Sequence, residues 1–349
     1  MTTYHDHGHD DLRDLVAASA FDAVTPAERQ TVARHLAGCA ECAAEAQRLR
    51  ATVRLLDVPP GRPEECAPPA DAGAAPSEDR GLLAFRCRPA ATPVAGHAAP
   101  YAGAVAALTA LLPRVRGTGG PDRWKAAVVH DWDVQATLAH LVAADERLAV
   151  ELGLDPRVPP SPVEEGETWV ETWNRRTADV VRHERGRTPE RTRACWEAQS
   201  AALLATPEAH DPRRAARVVE LMGMRLPVAD HFTVRAFETW IHTDDIGRAL
   251  GVDVPPPPAA HLERLVGLAV RVLGQALGPA APPVRLTLTD TGEWTLGSGP
   301  ARAGLALDPV DFCFLAGGRR APDTVPHTAT GDADAVRNVL ERTASLAWL

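Results

Sequence analysis

The chain has 349 residues, of which 45% are hydrophobic, and a formal net charge of −9 at pH 7. This length allows two or three domains with cores of their own. The acidic balance, without a basic stripe, argues against direct binding to nucleic acid, which needs clustered cations. Because no run of about 18 apolar residues and no apolar leader occurs, we expect no membrane-spanning helix and no secretion signal.

Six cysteines, at positions 39, 42, 66, 87, 195 and 313, are too dilute for a disulfide scaffold. We therefore expect a cytoplasmic protein, since a reducing compartment keeps thiols free for metal binding or redox chemistry.

The first 57 residues are predicted to form a small three-helix module. Apolar residues between Asp10 and Asp22 have helical spacing. Thr25-Pro-Ala-Glu28 is a capping box with proline at the first helical position, which predicts a second helix ending near Gly38. A third helix is expected over residues 41–56.

A cluster with zinc-ligand spacing lies at the turn between the last two helices. Its members are His35, Cys39 and Cys42. Two thiolates separated by two residues can both reach one tetrahedral Zn²⁺. A structural site takes a fourth ligand, for which His9 is the first choice and His5 and His7 are rivals. In the alternative interpretation, His35 caps a helix and the cysteines are a redox pair, but the segment has no βαβ pattern.

This segment, about residues 5–57, resembles the zinc-containing anti-sigma-factor domain of actinobacteria. The likeness rests on His9, on Thr25-Pro-x-Glu28 and on His35-Leu-Ala-Gly-Cys39-x-x-Cys42. The resemblance implies structural Zn²⁺ and, as a partner, an RNA polymerase sigma factor. Residues 58–97, rich in Pro, Ala and Gly and containing Cys66 and Cys87, are predicted to be a flexible linker.

Residues 98–278 are predicted to form an up-and-down helical bundle. The expected helices span residues 100–115, about 134–152 behind a cap at Asp131-Trp-Asp133, 165–183, 189–204, 237–250 and 261–277. Asp230-His231 is expected to open the last bundle helix, which ends at Gly251.

One helix of this bundle carries three polar residues on a single face. Glu238, His242 and Asp245 follow at i, i+4 and i+7, and apolar neighbours border them. A carboxylate and an imidazole one turn apart can bind one divalent metal, and His140 on another helix completes a set of three ligands. Such a set leaves a fourth position open. The alternatives are a Glu–His pair on a solvated face and a core histidine at 140.

These motifs resemble the mycothiol-dependent maleylpyruvate isomerase family, a branch of the DinB-like metal-binding bundles, over about residues 98–349. The likeness rests on Trp132-x-Val-x3-Leu-Ala-His140-Leu and on Glu238-Thr-Trp-Ile-His242-x-x-Asp245. It implies that His140, Glu238 and His242 hold the metal, that mycothiol is the thiol cosubstrate, and that Asp245 orients His242 or an arginine. Arg235, at the edge of this face, is assigned to cofactor binding.

The last segment, residues 279–349, is predicted to be a small α+β domain resembling the sterol-carrier-like domain of the same family. A hairpin is expected over residues 284–296, a short helix from Asp308, a strand over 327–330 and a final helix from 332. Gly317-Gly-Arg319-Arg320 falls where the family carries an arginine that reaches the active site. Arg319 is assigned to catalysis and Arg320 to cofactor binding, with the register between them open and an exposed basic turn as the alternative.

Two functions follow from these motifs. The first is a metal-dependent, mycothiol-using isomerase or transferase that acts on a small electrophile, with Zn²⁺, Ni²⁺ or another ion in the bundle. The second is a regulator that binds a sigma factor and uses the bundle as a sensor. A metal-bearing binding protein without turnover is a third possibility. The overall expectation is a mainly α fold with a small α+β domain at its C-terminal end.

Overall fold

The structure, a computed structural model, describes residues 12, 15, 16, 19, 24, 26–56, 90–115, 123–162 and 166–346. It contains two compact units, residues 1–75 and residues 76–349. The predicted ligands His5, His7 and His9 and the linker cysteines Cys66 and Cys87 lie outside the described residues. None of the helices in the described ranges has the length and apolarity that a membrane crossing requires.

The first unit consists of short helices around a very small core. Helix α1 spans Pro26–Gly38 and α2 spans Ala40–Leu56. Both predicted helices are confirmed, the second one residue longer at its start. The hydrophobic cluster described in this unit consists of Val16, Val32 and Ala46, with Leu15 and Leu36 packed against them. A core of this size contributes little stability, which is the usual reason for a structural metal in such modules.

Six helices of 13 or more residues form the helical part of the second unit in the described ranges. They are α3 (Ala99–Leu111), α4 (Val134–Glu151), α5 (Trp169–Arg185), α6 (Pro189–Leu204), α7 (Val228–Leu250) and α8 (Ala259–Leu277). Helix α7 packs on α3, α4 and α8, and α4 packs on α5 and α6. Shorter helical turns lie at Leu112–Val115, Arg123–Lys125, Pro207–His210 and Pro212–Ala215. The predicted, mainly helical fold is confirmed.

Side-chain caps explain where the helices near the site begin. Asp133 precedes α4 and accepts a hydrogen bond from the backbone N–H of Ala136 at 2.9 Å. Thr168 and Glu171 form a reciprocal capping box at the start of α5. This box places the start of α5 at Trp169, and the prediction that the helix begins at residue 165 is wrong.

Helix α7 is longer than its polar motif, with 23 residues from Val228. Its end is a Schellman motif in which Gly251 has φ 67°, and the N–H groups of Gly251 and Val252 bond to the carbonyls of Arg248 and Gly247. The motif requires a left-handed backbone at this position, which glycine adopts without strain. The predicted end of the helix at Gly251 is confirmed.

Two short antiparallel hairpins precede the helices of the site and were not predicted. Strands β1 (Ala127–Val129) and β2 (Trp132–Asp133) lead into α4, and β3 (Val218–Leu221) and β4 (Met224–Pro227) lead into α7. Strands of two to four residues are too short to show a period of two in the sequence.

The C-terminal segment forms a four-stranded sheet with two helices. The strands β5 (Val284–Leu288), β6 (Gly292–Leu296), β7 (Ala303–Leu307) and β8 (His327–Gly331) are ordered β6-β5-β7-β8, with only β5 and β7 parallel. Helix α9 (Pro309–Ala316) follows β7 and α10 (Ala333–Ala344) follows β8. One cluster of buried side chains includes residues of both the bundle and the sheet. The boundary at residues 278/279 therefore stays a prediction.

Candidate metal centre

His140, Glu238 and His242 lie together inside the second unit. Helix α4 supplies His140, and α7 supplies the other two, one turn apart. One ligand atom from each residue lies within 4.8 Å of the others. The ring centroids of the two histidines are 4.9 Å apart, and Nε2 of His140 is 2.8 Å from Oε1 of Glu238. Tetrahedral zinc holds its nitrogen and oxygen ligands about 3.3 Å from one another, so this spacing suits one ion.

The hydrogen bonding of His140, Glu238 and His242, called the triad below, also fits a bound cation. All three residues are at most 2% exposed. Nδ1 of His140 and Nε2 of His242 have no hydrogen-bond partner in the described part of the chain, while Nε2 of His140 and Oε1 of Glu238 face each other at 2.8 Å. Buried polar groups are almost always paired, and leaving several together without partners is costly unless an ion occupies the space between them.

The charge states of the triad also suit metal binding. Burial opposes ionisation of Glu238, but Arg235 and the two imidazoles outweigh it and hold the pKa of Glu238 at about 2. Burial lowers the pKa of His242 to about 4. At neutral pH the site therefore offers a carboxylate and a neutral imidazole, which are the forms that bind metals.

Asp245 lies against the outer nitrogen of His242. Its Oδ2 is 3.2 Å from Nδ1 of His242, an arrangement that leaves Nε2 directed at the triad when the proton is on Nδ1. Burial raises the pKa of Asp245, but hydrogen bonds from His242 and Arg319 outweigh it and bring the value to about 2. Asp245 is therefore an anion placed to orient His242, the role that the family resemblance implies for it.

The turn after α9 brings Arg319 to this carboxylate. Gly318 has φ 70°, and the N–H of Arg319 bonds back to the carbonyl of Phe314 at 2.7 Å, which ends the helix and turns the chain towards α7. The guanidinium contacts Asp245 through Nη2 at 2.6 Å and Nε at 3.1 Å, and Nη2 lies 3.5 Å from Nδ1 of His242. Arg320 turns away and has Nε 3.3 Å from Asp311, with half of its side chain exposed. The structure thus brings Arg319, and not Arg320, to the triad.

Arg235 is placed behind Glu238. It is 2% exposed, and its Nη1 is 2.5 Å from Oε2 of Glu238. It is not among the residues that line the cavity beside His140. This position does not favour the predicted contact with a cofactor and indicates a partnership with Glu238.

A cavity of about 680 Å³ adjoins the triad at His140. The β1–β2 hairpin places Trp132 against the His140 ring, with centroids 4.7 Å apart, and Trp173 of α5 meets the same ring edge-on at 5.9 Å. One face of α5 forms the cavity wall that extends away from His140. Its lining residues are Trp173, Asn174, Thr177, Ala178, Val181, Arg182 and Arg185.

Sequence reasoning missed the residues behind and around the triad. Asp145 is 1% exposed on α4 and accepts a hydrogen bond from the Tyr101 hydroxyl at 2.7 Å. The signal was a single acid inside an otherwise apolar stripe, five residues after His140. For Trp173 no signal existed, because tryptophan on a helix is more often a core residue.

In the first unit, His35, Cys39 and Cys42 also form a group whose ligand atoms lie within 4.8 Å of one another. Cys39 lies directly before α2, and a hydrogen bond from the backbone N–H of Cys42 lowers the pKa of its thiol. A thiolate is the form that binds zinc. The fourth ligand, predicted to be His9, falls outside the described residues.

Comparison with known proteins gives two domain matches. Residues 104–247 match the family described as "Mycothiol maleylpyruvate isomerase N-terminal domain", and residues 10–43 match the family described as "Putative zinc-finger". The first range contains all three residues of the triad, and the second contains the His-Cys-Cys group.

Two uncharacterized proteins of Mycobacterium tuberculosis, from strains CDC 1551 / Oshkosh and ATCC 25618 / H37Rv, are each 33% identical to this chain over 137 residues. The alignments cover 37% of this chain and 50% of each relative, so the chain spans about half the length of the curated relatives it matches. Crystal structures of the mycothiol-dependent maleylpyruvate isomerase and of a mutant of it give TM-scores of 0.44 and 0.43 at 15% identity, covering 73% of this chain and 94% of those chains. The chain thus combines a region similar to the mycothiol maleylpyruvate isomerase N-terminal domain with a preceding region similar to a zinc finger, as its motifs predict.

Proposed function

We propose that the protein is a metal-dependent enzyme that uses mycothiol as a thiol cosubstrate. It would catalyse thiol addition, thiol transfer or isomerisation on a small electrophile. The observation that carries this proposal is the buried group of His140, Glu238 and His242, whose ligand atoms lie within 4.8 Å of one another beside a cavity, with one nitrogen of each histidine unpartnered in the described part of the chain. The domain match to residues 104–247 supports mycothiol as the cosubstrate. The bundle ion is proposed to be divalent, with Zn²⁺ as the first choice because the ligands are two imidazoles and one carboxylate.

The charges around the triad favour an anionic ligand once a cation is bound. Three carboxylates, those of Glu238, Asp244 and Asp245, face three guanidinium groups, those of Arg235, Arg248 and Arg319. These six charges sum to zero, so a divalent ion would add two positive charges to the group. A cation in such a site lowers the pKa of a thiol that coordinates it.

The protein's own groups would prepare this chemistry. Asp245 holds the His242 ring, and Arg319 neutralises Asp245 in turn. The ion pair with Asp245 occupies Arg319 in this structure. We therefore propose that Arg319 contacts substrate only through an N–H that is not engaged by Asp245, and not as a full bidentate clamp.

The cavity along α5 is the proposed binding place for the thiol and the electrophile. Trp132 and Trp173 form apolar walls next to His140, where they restrict water around the reacting atoms. Arg182 and Arg185 lie at the far end of the lining face.

The remaining parts are proposed in the roles that the sequence predicts. His35, Cys39 and Cys42 would hold a structural Zn²⁺ with His9, and residues 279–349 would be a sterol-carrier-like domain that delivers Arg319. The sigma factor stays a predicted partner. No feature of the described residues favours the regulator over the enzyme.

Metal analysis of the purified full chain tests both sites at once. We expect about two ions per wild-type chain, with one lost in His242→Ala and a different one lost in Cys42→Ala. In the Co²⁺-loaded protein, adding mycothiol at pH 7 should change the visible spectrum, and His140→Ala should abolish this change. Equal metal content in the three proteins would contradict both sites. A spectrum that does not respond to mycothiol would contradict the cosubstrate.

A further inference from the structure

The two oxygens of Glu238 have different neighbours. Oε1 faces the triad and lies 2.8 Å from Nε2 of His140. Oε2 lies 2.5 Å from Nη1 of Arg235, which is three residues earlier on the same helix. One oxygen is thus directed to the proposed metal position, and the other is directed to a fixed cation.

Arg235 has little freedom to leave this position. Its side chain is 2% exposed, and a guanidinium at such a place is costly unless a carboxylate compensates its charge. The salt bridge to Glu238 is its only ion pair among the described residues. Moving Arg235 away would leave a buried cation without compensation.

A second buried acid, Asp145, interacts electrostatically with Arg235. The positive charge of Arg235 acts on Asp145, and Asp145 is fixed by the hydroxyl of Tyr101 at 2.7 Å. Burial raises the pKa of Tyr101 well above its usual value, so the hydroxyl keeps its proton and donates. Tyr101, Asp145 and Arg235 come from α3, α4 and α7, so three helices meet behind Glu238.

We propose that Arg235 is a positioning residue that reserves Oε2 of Glu238, so that Glu238 gives the metal one oxygen instead of two. Asp145 and Tyr101 hold Arg235 in place. A carboxylate that binds through both oxygens occupies an extra coordination position, which the thiol would otherwise use. The inference rests on the proposed metal site and adds a reason why that site keeps a position for its ligand.

The wild-type protein gives a direct test without any substitution. The infrared difference spectrum between Zn²⁺-loaded and metal-free full chain reports the antisymmetric and symmetric carboxylate stretches. Their splitting is large for one-oxygen coordination and small for two-oxygen coordination. We expect a large splitting for a band that disappears in Glu238→Gln. A small splitting overturns the inference even if no Arg235 variant folds.

Substitution of Arg235 gives the second test. In Arg235→Met we expect the affinity for Zn²⁺ to fall about 10- to 100-fold, the range found for groups that orient metal ligands. The visible absorption of its Co²⁺ form should weaken as the coordination number rises. Arg235→Lys keeps the charge and should restore most of the wild-type spectrum.

Arg271→Met is the matched control, because it removes an arginine from a surface ion pair with Asp230. It should leave affinity and spectrum unchanged. A folded Arg235→Met protein with wild-type affinity and spectrum overturns the inference and leaves the proposed function standing. If the wild-type protein bound no metal at His140, Glu238 and His242, that result would contradict the proposed function itself.

Discussion

Asp145 is a carboxylic acid buried on the apolar face of α4. Burial raises its pKa from 3.8 to about 7, although Arg235 and the Tyr101 hydroxyl act in the opposite direction. Because the folded-state pKa is higher than the unfolded one, the folded protein binds more protons between about pH 4 and pH 7. The Asp145 contribution to stability is therefore greatest at low pH and is lost as the pH rises through 7.

The variant Asp145→Asn removes this titration and keeps an oxygen that can accept from Tyr101. As the pH rises from 5 to 8, wild type loses the stability that protonated Asp145 provides and the variant does not. The unfolding free energy of the variant minus that of wild type should therefore increase by a few kcal/mol, since three pKa units correspond to about 4 kcal/mol. Chemical denaturation at several pH values measures it. Metal-free protein must be used throughout, so that metal release does not add its own pH dependence. Parallel curves for the two proteins would contradict the assigned cause.

The two adjacent arginines show how far a single residue can be assigned from a motif. The sequence places both Arg319 and Arg320 after two glycines, and either could reach the site. The left-handed Gly318 and the bond from Arg319 to the Phe314 carbonyl decide the matter, because they rotate one side chain towards Asp245 and the next towards Asp311.

Helix α7 is the element on which the site depends. Its regular 3.6-residue turn puts Glu238 and His242 on one face, which the sequence alone predicts. Its start at Val228 lies two residues before the expected opening at Asp230-His231, because the hairpin that leads into it has no periodic pattern in the sequence. Its C-terminal end is fixed by Gly251, whose φ of 67° is disfavoured for residues with a Cβ atom.

Substitution at this cap should weaken the element. We expect Gly251→Ala to lower the unfolding free energy of the second unit by about 1–2 kcal/mol, the cost of a left-handed L-residue. The added methyl group would meet no atom within 4 Å, so the effect isolates backbone strain. Thermal or urea unfolding measures it.

Gly267→Ala serves as the opposite control. Gly267 lies within α8, where a methyl group also has open space and the backbone is helical. Alanine there should stabilise the protein by about 0.5–1 kcal/mol. Equal effects at both positions would mean that the Gly251 conformation has no special cost.

The chain as a whole has two units, and each contains a hydrophobic cluster and a group of potential metal ligands. The small unit buries so few apolar side chains that its folding should depend on metal, whereas the large unit has an extensive core. We expect calorimetry of the full chain to show two transitions. Cys42→Ala should remove or lower only the one that belongs to residues 1–75.

Chelation should affect the two transitions unequally. The small unit should unfold when its metal is removed, and the large unit should lose only the stabilisation that ligand binding provides. A single transition that Cys42→Ala and His242→Ala shift by the same amount would contradict this independence.

The sequence by itself determined the features that depend on local geometry. The spacing of Glu238 and His242, the Cys39–Cys42 pair, the cap at Asp133 and the stop at Gly251 all follow from short-range rules, because neighbouring positions on a helix have fixed relative directions.

Tertiary structure alone decided which distant groups meet. It selected Arg319 rather than Arg320 as the partner of Asp245, paired Arg235 with Glu238, and joined Tyr101 to Asp145. It also placed His140, the third ligand that the motifs and the resemblance suggested, next to Glu238 and His242. Sequence spacing cannot give these contacts, because the packing of the interhelical core sets the rotation of each helix about its axis.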